Sequence, residues 1–494
     1  MTTRVEVLIV GAGFSGLGLA ALLDRAGIRS FRILEAADDV GGTWRENTYP
    51  GCACDIPAPL YSFSFAQKAD WTRLFARQGE ILAYLRGFAR DRGLTGRIDF
   101  GAKVANARWR DGERDWELTT AGGRRFLARF LVTAVGPLHH PVRPALPGVA
   151  GFRGPVFHSA EWAHDVDLTG RRVVVIGTGA SAVQFVPAIV DRVAELTVFQ
   201  RTPPWILPKA DRAFDARERR LLRWLPGYRQ RLRRHLFQVH EHRAPGFVDG
   251  AAGMAATAEY ARRLLEKQVE DPELRARLTP DYAIGCKRLL ISSDWYPALT
   301  RPHVRVRTGE IARVRPDGVV GADGVVSPAE VIIYGTGFDA HDNLTRLPVH
   351  GRDGLALTEV WRDGAQAYLG TTVSGFPNLF VLGGPNTGLG HNSQIFMIEA
   401  QARYVVACLR RMRRRGLTSI EVRPEAQRRF VAWVHARMAA TVWQSGGCRS
   451  WYQRPRSALN TVLWPDTAVA FAERTRRVRF TDYRFEPPAG TPEH

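Results

Sequence analysis

An α/β protein made of two strand–turn–helix nucleotide units, the first split in sequence around the second and joined by a helical insertion, is what this 494-residue chain predicts. Three observations carry that reading. Two glycine-rich loops each follow a short β-branched apolar run and open a helical pattern. The residues that end the second strand of each unit carry opposite charges at the same offset from the first glycine. Further strand and glycine-turn segments recur after the second unit, as a chain returning to its first domain requires.

Val5 to Val10 reads as a strand, and Gly11-Ala12-Gly13-Phe14-Ser15-Gly16 follows it directly. Leu17, Leu19, Ala20 and Leu23 then fall at helical spacing, so the loop has the strand and helix that G-x-G-x-x-G needs. Gly11 permits the tight turn, Gly13 lets a pyrophosphate approach the backbone, and Gly16 lets the helix pack closely with its N-terminus toward the phosphates. Phe31 to Leu34 forms the second strand and ends at Glu35, whose carboxylate can bind both hydroxyls of an unphosphorylated ribose. FAD or NAD is the ligand expected there.

The pattern recurs at Val173 to Ile176, followed by Gly177-Thr178-Gly179-Ala180-Ser181-Ala182, a helix, and the strand Leu196 to Phe199. Alanine at the third glycine position is allowed. Where Glu35 closes the first unit, Arg201 closes this one. A carboxylate repels a 2′-phosphate, whereas a guanidinium binds it bidentately, here with the Thr202 hydroxyl to help. The second loop is therefore expected to take NADPH. The order of the two loops is that of a flavoprotein with two dinucleotide-binding Rossmann-like domains: a split FAD domain and an inserted NADPH domain.

The return is expected at Tyr334-Gly335-Thr336-Gly337-Phe338, after the strand Val331 to Ile333, echoing Thr133 to Gly136 after Phe130 to Val132. A last strand–turn–helix unit, Leu379 to Leu382, Gly383-Gly384-Pro385-Asn386 and a helix with Ile395, Phe396, Ile398, Ala402 and Val405, completes the flavin domain. From Asp211 to about Arg277 the pattern is helical and arginine-rich, an insertion over the active site. The expected division is 1–145 and 334–494 for FAD, 146–210 and 285–333 for NADPH, and 211–284 for the insertion.

The formal charge of +20 raises a nucleic-acid or membrane footprint, with Arg229 to Arg234 and Arg410 to Arg415 as candidate patches. Lysine occurs only at positions 68, 103, 209, 267 and 287, so arginine is general throughout rather than gathered into a strip interleaved with aromatics. Neither nucleic acid nor membrane is an expected partner. No apolar run reaches the roughly 18 residues of a membrane span, and the chain opens on a strand rather than a basic and apolar leader. Cys52, Cys54, Cys286, Cys408 and Cys448 form no disulfide framework and no metal-ligand spacing, which suits a reducing cytoplasm.

Phe152, Gly154, His158 and Trp162 lie between the loops in the spacing F-x-G-x-x-x-H-x-x-x-W. Gly41-Gly42-Thr43-Trp44, Tyr49-Pro50-Gly51 and Asp55 give G-G-x-W-x-x-x-x-Y-P-G-x-x-x-D. Together these residues resemble the type I Baeyer-Villiger monooxygenases, and the resemblance covers nearly the whole chain. Ala163 departs from the proline or aspartate usual after the tryptophan, which bears on the subgroup rather than the family. Flavin-containing monooxygenases that oxidise nitrogen and sulfur usually lack that tryptophan.

The resemblance implies FAD, NADPH and O2 as reactants, and oxygen insertion beside a ketone carbonyl to give an ester or lactone through a C4a-peroxyflavin. In Gly285-Cys286-Lys287-Arg288 it implies that Lys287 reaches the 2′-phosphate with Arg201 and Thr202, and that Arg288 lies over the flavin. A fixed guanidinium keeps the peroxide anionic and stabilises the oxyanion that follows. Asp55 is implied as the acid that pairs with Arg288. Trp44 and Tyr61, with Thr43, are implied to line the flavin pocket, and Trp451 to close a C-terminal loop on nicotinamide and substrate. Thr336 and Gly337, at the return turn, complete the expected cofactor contacts. His158 and Trp162, four apart, are read as sharing a helix face that holds the hinge between domains. Two rivals stand beside this reading: a monooxygenase acting on sulfur or nitrogen, and an NADPH-binding flavoprotein without oxygenase activity. A dithiol reductase built on Cys52 and Cys54 is disfavoured by the C-x-C spacing within the tryptophan-to-aspartate signature.

Overall fold

In the computed structural model, which describes residues 2–341, 346–454 and 459–487, the strand Thr2–Val10 is the spine of the first domain. It runs parallel to Phe31–Leu34 on one side and Arg125–Thr133 on the other. Val7 and Ile9 bury one face against the helices Phe14–Arg25 and Gln394–Arg414, while Leu8 and Val10 bury the other among Trp109, Trp116 and Leu131. Both faces of a central parallel strand are covered, which is why Val7 to Val10 is apolar at every position instead of alternating. Each such side chain contributes about 1.5–3 kcal/mol by leaving water. The antiparallel strands Val104–Arg110 and Asp115–Thr120 and the late strand Leu379–Val381 also pair into this sheet, the last running parallel to Leu131–Thr133. A segment more than 240 residues downstream thus rejoins the first domain.

The second sheet has five parallel strands in the order Val304–Thr308, Glu195–Gln200, Arg172–Ile176, Val331–Tyr334 and Val156–His158. Parallel order with crossover helices is the doubly wound arrangement, which opens a ligand crevice at the carboxyl ends of the strands. Between them, the helices Ala216–Trp224, Tyr228–Glu241, Ala244–Val248, Ala255–Gln268 and Pro272–Leu278 make up the insertion. Arg233 anchors it. This side chain, drawn from the arginine run read above as a candidate surface patch, is buried, and its Nη1 donates to the carbonyls of Pro59, Leu60 and Ser62 at 3.0, 2.7 and 2.7 Å.

Two expectations are corrected here. The cysteine spacing predicts no cross-link, yet Cys286 and Cys448 are disulfide-bonded across 162 residues of sequence. Spacing carries no trace of this pair because an apolar core of Trp205, Phe247, Met254, Tyr282, Trp443 and Tyr452 brings the two segments together. His158 and Trp162 do not share a helix face. His158 ends the strand Val156–His158 and accepts from the backbone N–H of Ala160 at 3.0 Å, opening the short 3-10 turn Ser159–Glu161. Trp162, beyond that turn, packs against Phe157 and Phe185.

Candidate active site and cofactor cleft

The carboxyl ends of both sheets open into one cavity of about 1110 Å³. Its first end is built by backbone approach. Gly11 has φ +107°, and a Cβ there would lie 2.6 Å from the carbonyl oxygen of Ala134. A Cβ on Gly16 would lie 1.9 Å from the carbonyl oxygen of Gly11, so the helix sits against its own loop only because that position is bare. Glu35 accepts from the backbone N–H groups of Ala12 at 2.7 Å and Ala37 at 2.9 Å. This fixes the carboxylate at the rim with lone pairs still free to take hydroxyls. Gly13, Phe14, Ser15, Thr43, Trp44 and Tyr61 line the same end. Trp44 Nε1 donates to the Tyr61 hydroxyl at 3.2 Å, and Phe14 meets the Tyr61 ring edge-on at 5.3 Å.

The opposite end repeats the geometry with the charge reversed. Gly177 has φ +106°, and a Cβ there would lie 2.5 Å from the carbonyl oxygen of Gly335. Thr178, Gly179, Ala180, Ser181, Arg201, Thr202 and Lys287 line this end. Lys287 Nζ donates to the Thr202 hydroxyl and stands 4.8 Å from the centre of the Tyr282 ring. Burial, and then the neighbouring Arg201 charge, lower the pKa of Lys287. Neither cation has an ion-pair partner among the described residues. Two unpaired cations close enough to repel each other make a site for a doubly charged anion.

Between the two ends Arg288 and Asp55 form an ion pair in which the guanidinium donates twice to one carboxylate oxygen, Oδ2, from Nε at 3.0 Å and from Nη2. Their side chains are 32% and 28% exposed, and that exposure faces the cavity, which both residues line. Burial pushes the Asp55 carboxyl up, but the Arg288 guanidinium outweighs it and holds the acid below its usual range. The Asp55 charge in turn raises the pKa of Arg288 against the cost of burial. A permanently charged guanidinium, held by an acceptor and still open to the cleft, is suited to meet negative charge that develops on a bound reactant. Thr336 and Gly337 border the cavity on the return turn; the Thr336 hydroxyl donates to the carbonyl of Val142, and Gly337 has φ +80°. Trp451 is 40% exposed and lines the cavity, so it is not a core tryptophan. Cys52 and Cys54 are buried free thiols, and burial raises Cys52 to about 11.

One further residue belongs to the C-terminal loop read from the sequence, and one was not read from it. Tyr452 follows Trp451, is buried beside Arg288, and lines the cavity. Gln184, on the first helix of the second unit, accepts from the Tyr49 hydroxyl at 3.1 Å and exchanges hydrogen bonds with the backbone of Ala53 at 3.2 and 2.9 Å. A Cβ on Gly51, at φ +81°, would lie 2.7 Å from the Gln184 carbonyl oxygen. The Y-P-G signature is thus where one domain leans on the other. Gln184 itself sits among helical residues with no motif to mark it.

A split and an inserted nucleotide unit facing one charged cleft define a two-nucleotide oxidoreductase. Residues 9–77 match the family described as NAD(P)-binding Rossmann-like domain, and residues 59–208 match that of L-lysine 6-monooxygenase/L-ornithine 5-monooxygenase. A Baeyer-Villiger monooxygenase of Pseudomonas aeruginosa is 46% identical over 97% of this chain and 91% of its own length. One from Streptomyces coelicolor is 45% identical over 98% and 93%. Cyclohexanone monooxygenase from Rhodococcus sp. Phi1, solved bound to NADP+, superposes with a TM-score of 0.89 at 28% identity, over 99% of this chain and all of that one. OTEMO in complex with FAD and NADP gives 0.89 at 27% identity, over 98% of this chain and all of that one. The chain belongs to the Baeyer-Villiger monooxygenase family.

Proposed function

We propose that this chain uses NADPH and O2 to insert an oxygen atom beside a ketone carbonyl, giving an ester or lactone, and that the residues assembled above divide the work as follows. The single observation that carries the division is the Arg288–Asp55 pair, standing in the cavity between a glycine loop with a carboxylate and one with two free cations. The bare backbone at Gly11, Gly13 and Gly16 and the poised Glu35 fit FAD. The Gly177 to Ser181 loop with Arg201, Thr202 and Lys287 fits NADPH. When bound, FAD accepts hydride and activates oxygen.

The protein's own part is positioning and electrostatics. Trp44, Tyr61 and Phe14 would wall one side of a bound flavin and keep water from it. Lys287 and Arg201 fix the 2′-phosphate and so the nicotinamide. Arg288 faces the ketone and donates to its oxygen as charge develops there, while Asp55 holds the guanidinium in place. Trp451 and Tyr452 close the outer wall, which excludes water and limits the loss of reducing equivalents to peroxide.

Arg288→Ala tests this reading. The variant should keep FAD and oxidise NADPH, yet lose ester or lactone formation by about 10²-fold or more and release hydrogen peroxide in proportion to the NADPH consumed. Product formed at the wild-type rate would remove Arg288 from the chemistry. Oxidation of sulfur or nitrogen is the second reading, favoured by the match to lysine and ornithine monooxygenases over residues 59–208. It predicts thioether oxidation that survives the Arg288 substitution better than ketone oxidation does.

A further inference from the structure

We propose that Cys286 and Cys448 are a thiol–disulfide switch that locks the C-terminal loop onto the catalytic stretch, with hydrogen peroxide from uncoupled turnover as the oxidant that closes it. The source of oxidant rests on the oxygenase reading above; the switch itself does not.

The two sulfurs join segments whose separation sets the shape of the cleft. Cys286 immediately precedes Lys287 and Arg288, and Cys448 lies three residues before Trp451. Non-covalent contacts already bring the loop to this place. The backbone N–H of Ala283 donates to the Gly446 carbonyl at 2.9 Å, and a Cβ on Gly446 would lie 2.7 Å from the Cβ of Cys286. Gln453 Nε2 donates to the Trp443 carbonyl at 3.1 Å and closes the loop on itself. Yet much of its rim faces solvent: Gln444, Ser445, Gly447, Arg449 and Trp451 are exposed. Trp443 and Tyr452 anchor the two ends of the loop in the shared apolar core, and a covalent bond at Cys448 ties down the more exposed span between them.

The chemistry assigns the two cysteines different parts. Cys448 is half-buried and adjoins the exposed Arg449, whereas Cys286 is fully buried. The Cys448 thiolate attacks one oxygen of hydrogen peroxide, the O–O bond breaks, the departing hydroxide takes a proton to leave as water, and a sulfenic acid remains. The Cys286 sulfur then attacks that sulfur, its thiol proton leaves with the sulfenic oxygen as the second water, and the S–S bond forms. Two thiols lose two electrons and one peroxide becomes two waters. A small dithiol reverses the step and is itself oxidised to a disulfide. An enzyme that leaks peroxide through an open loop would by this route seal the loop.

The holoenzyme, reduced with a dithiol and then freed of it, should yield five alkylated cysteines under denaturing conditions. After one equivalent of hydrogen peroxide it should yield three, namely Cys52, Cys54 and Cys408, with a peptide joining Cys286 to Cys448. Amide exchange across residues 443–453 should slow about tenfold on oxidation. Cys448→Ser should exchange at the reduced rate under either treatment; reduced wild type gives the same comparison without a substitution. Turnover with NADPH and no ketone should form the same cross-link, and catalase should prevent it. Five alkylated cysteines after peroxide, or a different pair, overturns the switch, and a correct pair with unchanged exchange overturns the lock. A cross-link that forms with added peroxide but never during NADPH turnover overturns the internal oxidant and counts against the oxygenase reading instead.

Discussion

Replacing Arg201 and Lys287 by alanine, singly and together, should convert a strong preference for NADPH over NADH into a weak one. A hydrogen bond to a charged group is worth about 1.5–3 kcal/mol, and each 1.4 kcal/mol is about a factor of ten. Arg201 is exposed at the rim, where solvent screens it, so its removal should cost about tenfold in kcat/KM for NADPH. Lys287 is half-buried, tied to the Thr202 hydroxyl and seated over Tyr282, so its removal should cost about 30- to 100-fold. The two cations repel each other when no phosphate lies between them, and removing either relieves the other. The double variant should therefore lose less than the product of the single losses. The assay is initial-rate oxidation of NADPH and NADH at two salt concentrations, read as the ratio of their kcat/KM values. Added salt should shrink the Arg201 effect more than the Lys287 effect. Because NADH lacks the 2′-phosphate, its kcat/KM should stay within about threefold of wild type. A ratio that does not move, or NADH rates that fall as far as NADPH rates, would refute the assignment of these cations to the phosphate.

Asp55→Ala leaves the Arg288 charge without its partner in a site about one-third exposed; it should lower stability by about 1–3 kcal/mol and ketone oxidation by more than tenfold, seen in thermal unfolding and product yield, and equal stability with Asp55→Leu would argue against the pair. His158 is buried and its pKa is pushed down to about 4 by burial first and Arg143 second. The unfolded chain takes up that proton near pH 6.5 and the folded chain does not, so stability should fall by up to about 3 kcal/mol as pH drops from about 6.5 to about 4, and be unaffected above that window. Denaturant titrations across that range should show His158→Asn with a flatter dependence than wild type. Gly51→Ala places a methyl group against the Gln184 carbonyl at a left-handed backbone position; it should destabilise by about 1–3 kcal/mol and loosen the contact between domains, and an unchanged melting temperature would refute the crowding.

The nucleotide loops were legible because their chemistry is local. Gly11 and Gly177 announce a positive φ, and Glu35 and Arg201 sit one strand later at a fixed offset, so charge complementarity follows from counting. The Asp55–Arg288 pair was legible only through family signatures, since the two residues stand 233 positions apart and nothing local links the acid to that arginine. Arg233 shows the converse. From sequence it is one of many arginines, and only the three carbonyls that converge on it distinguish a buried anchor from a solvated charge. The F-x-G-x-x-x-H-x-x-x-W run names a family without naming a conformation: periodicity at spacing four fits a helix, but His158 instead ends a strand whose partner, Val331–Tyr334, lies far along the chain. The cross-link belongs to the same class of hidden feature, because Cys286 and Cys448 become neighbours only through an apolar core drawn from five separate segments. What sequence conceals here is the set of contacts that fix one domain against another. Gln184 on Tyr49, Arg233 on the Tyr61 loop and Cys448 on the Arg288 stretch all belong to it. Each joins elements that line the cleft, so substitutions at these joints should alter the coupling of NADPH to product without touching the signatures that identify the chemistry.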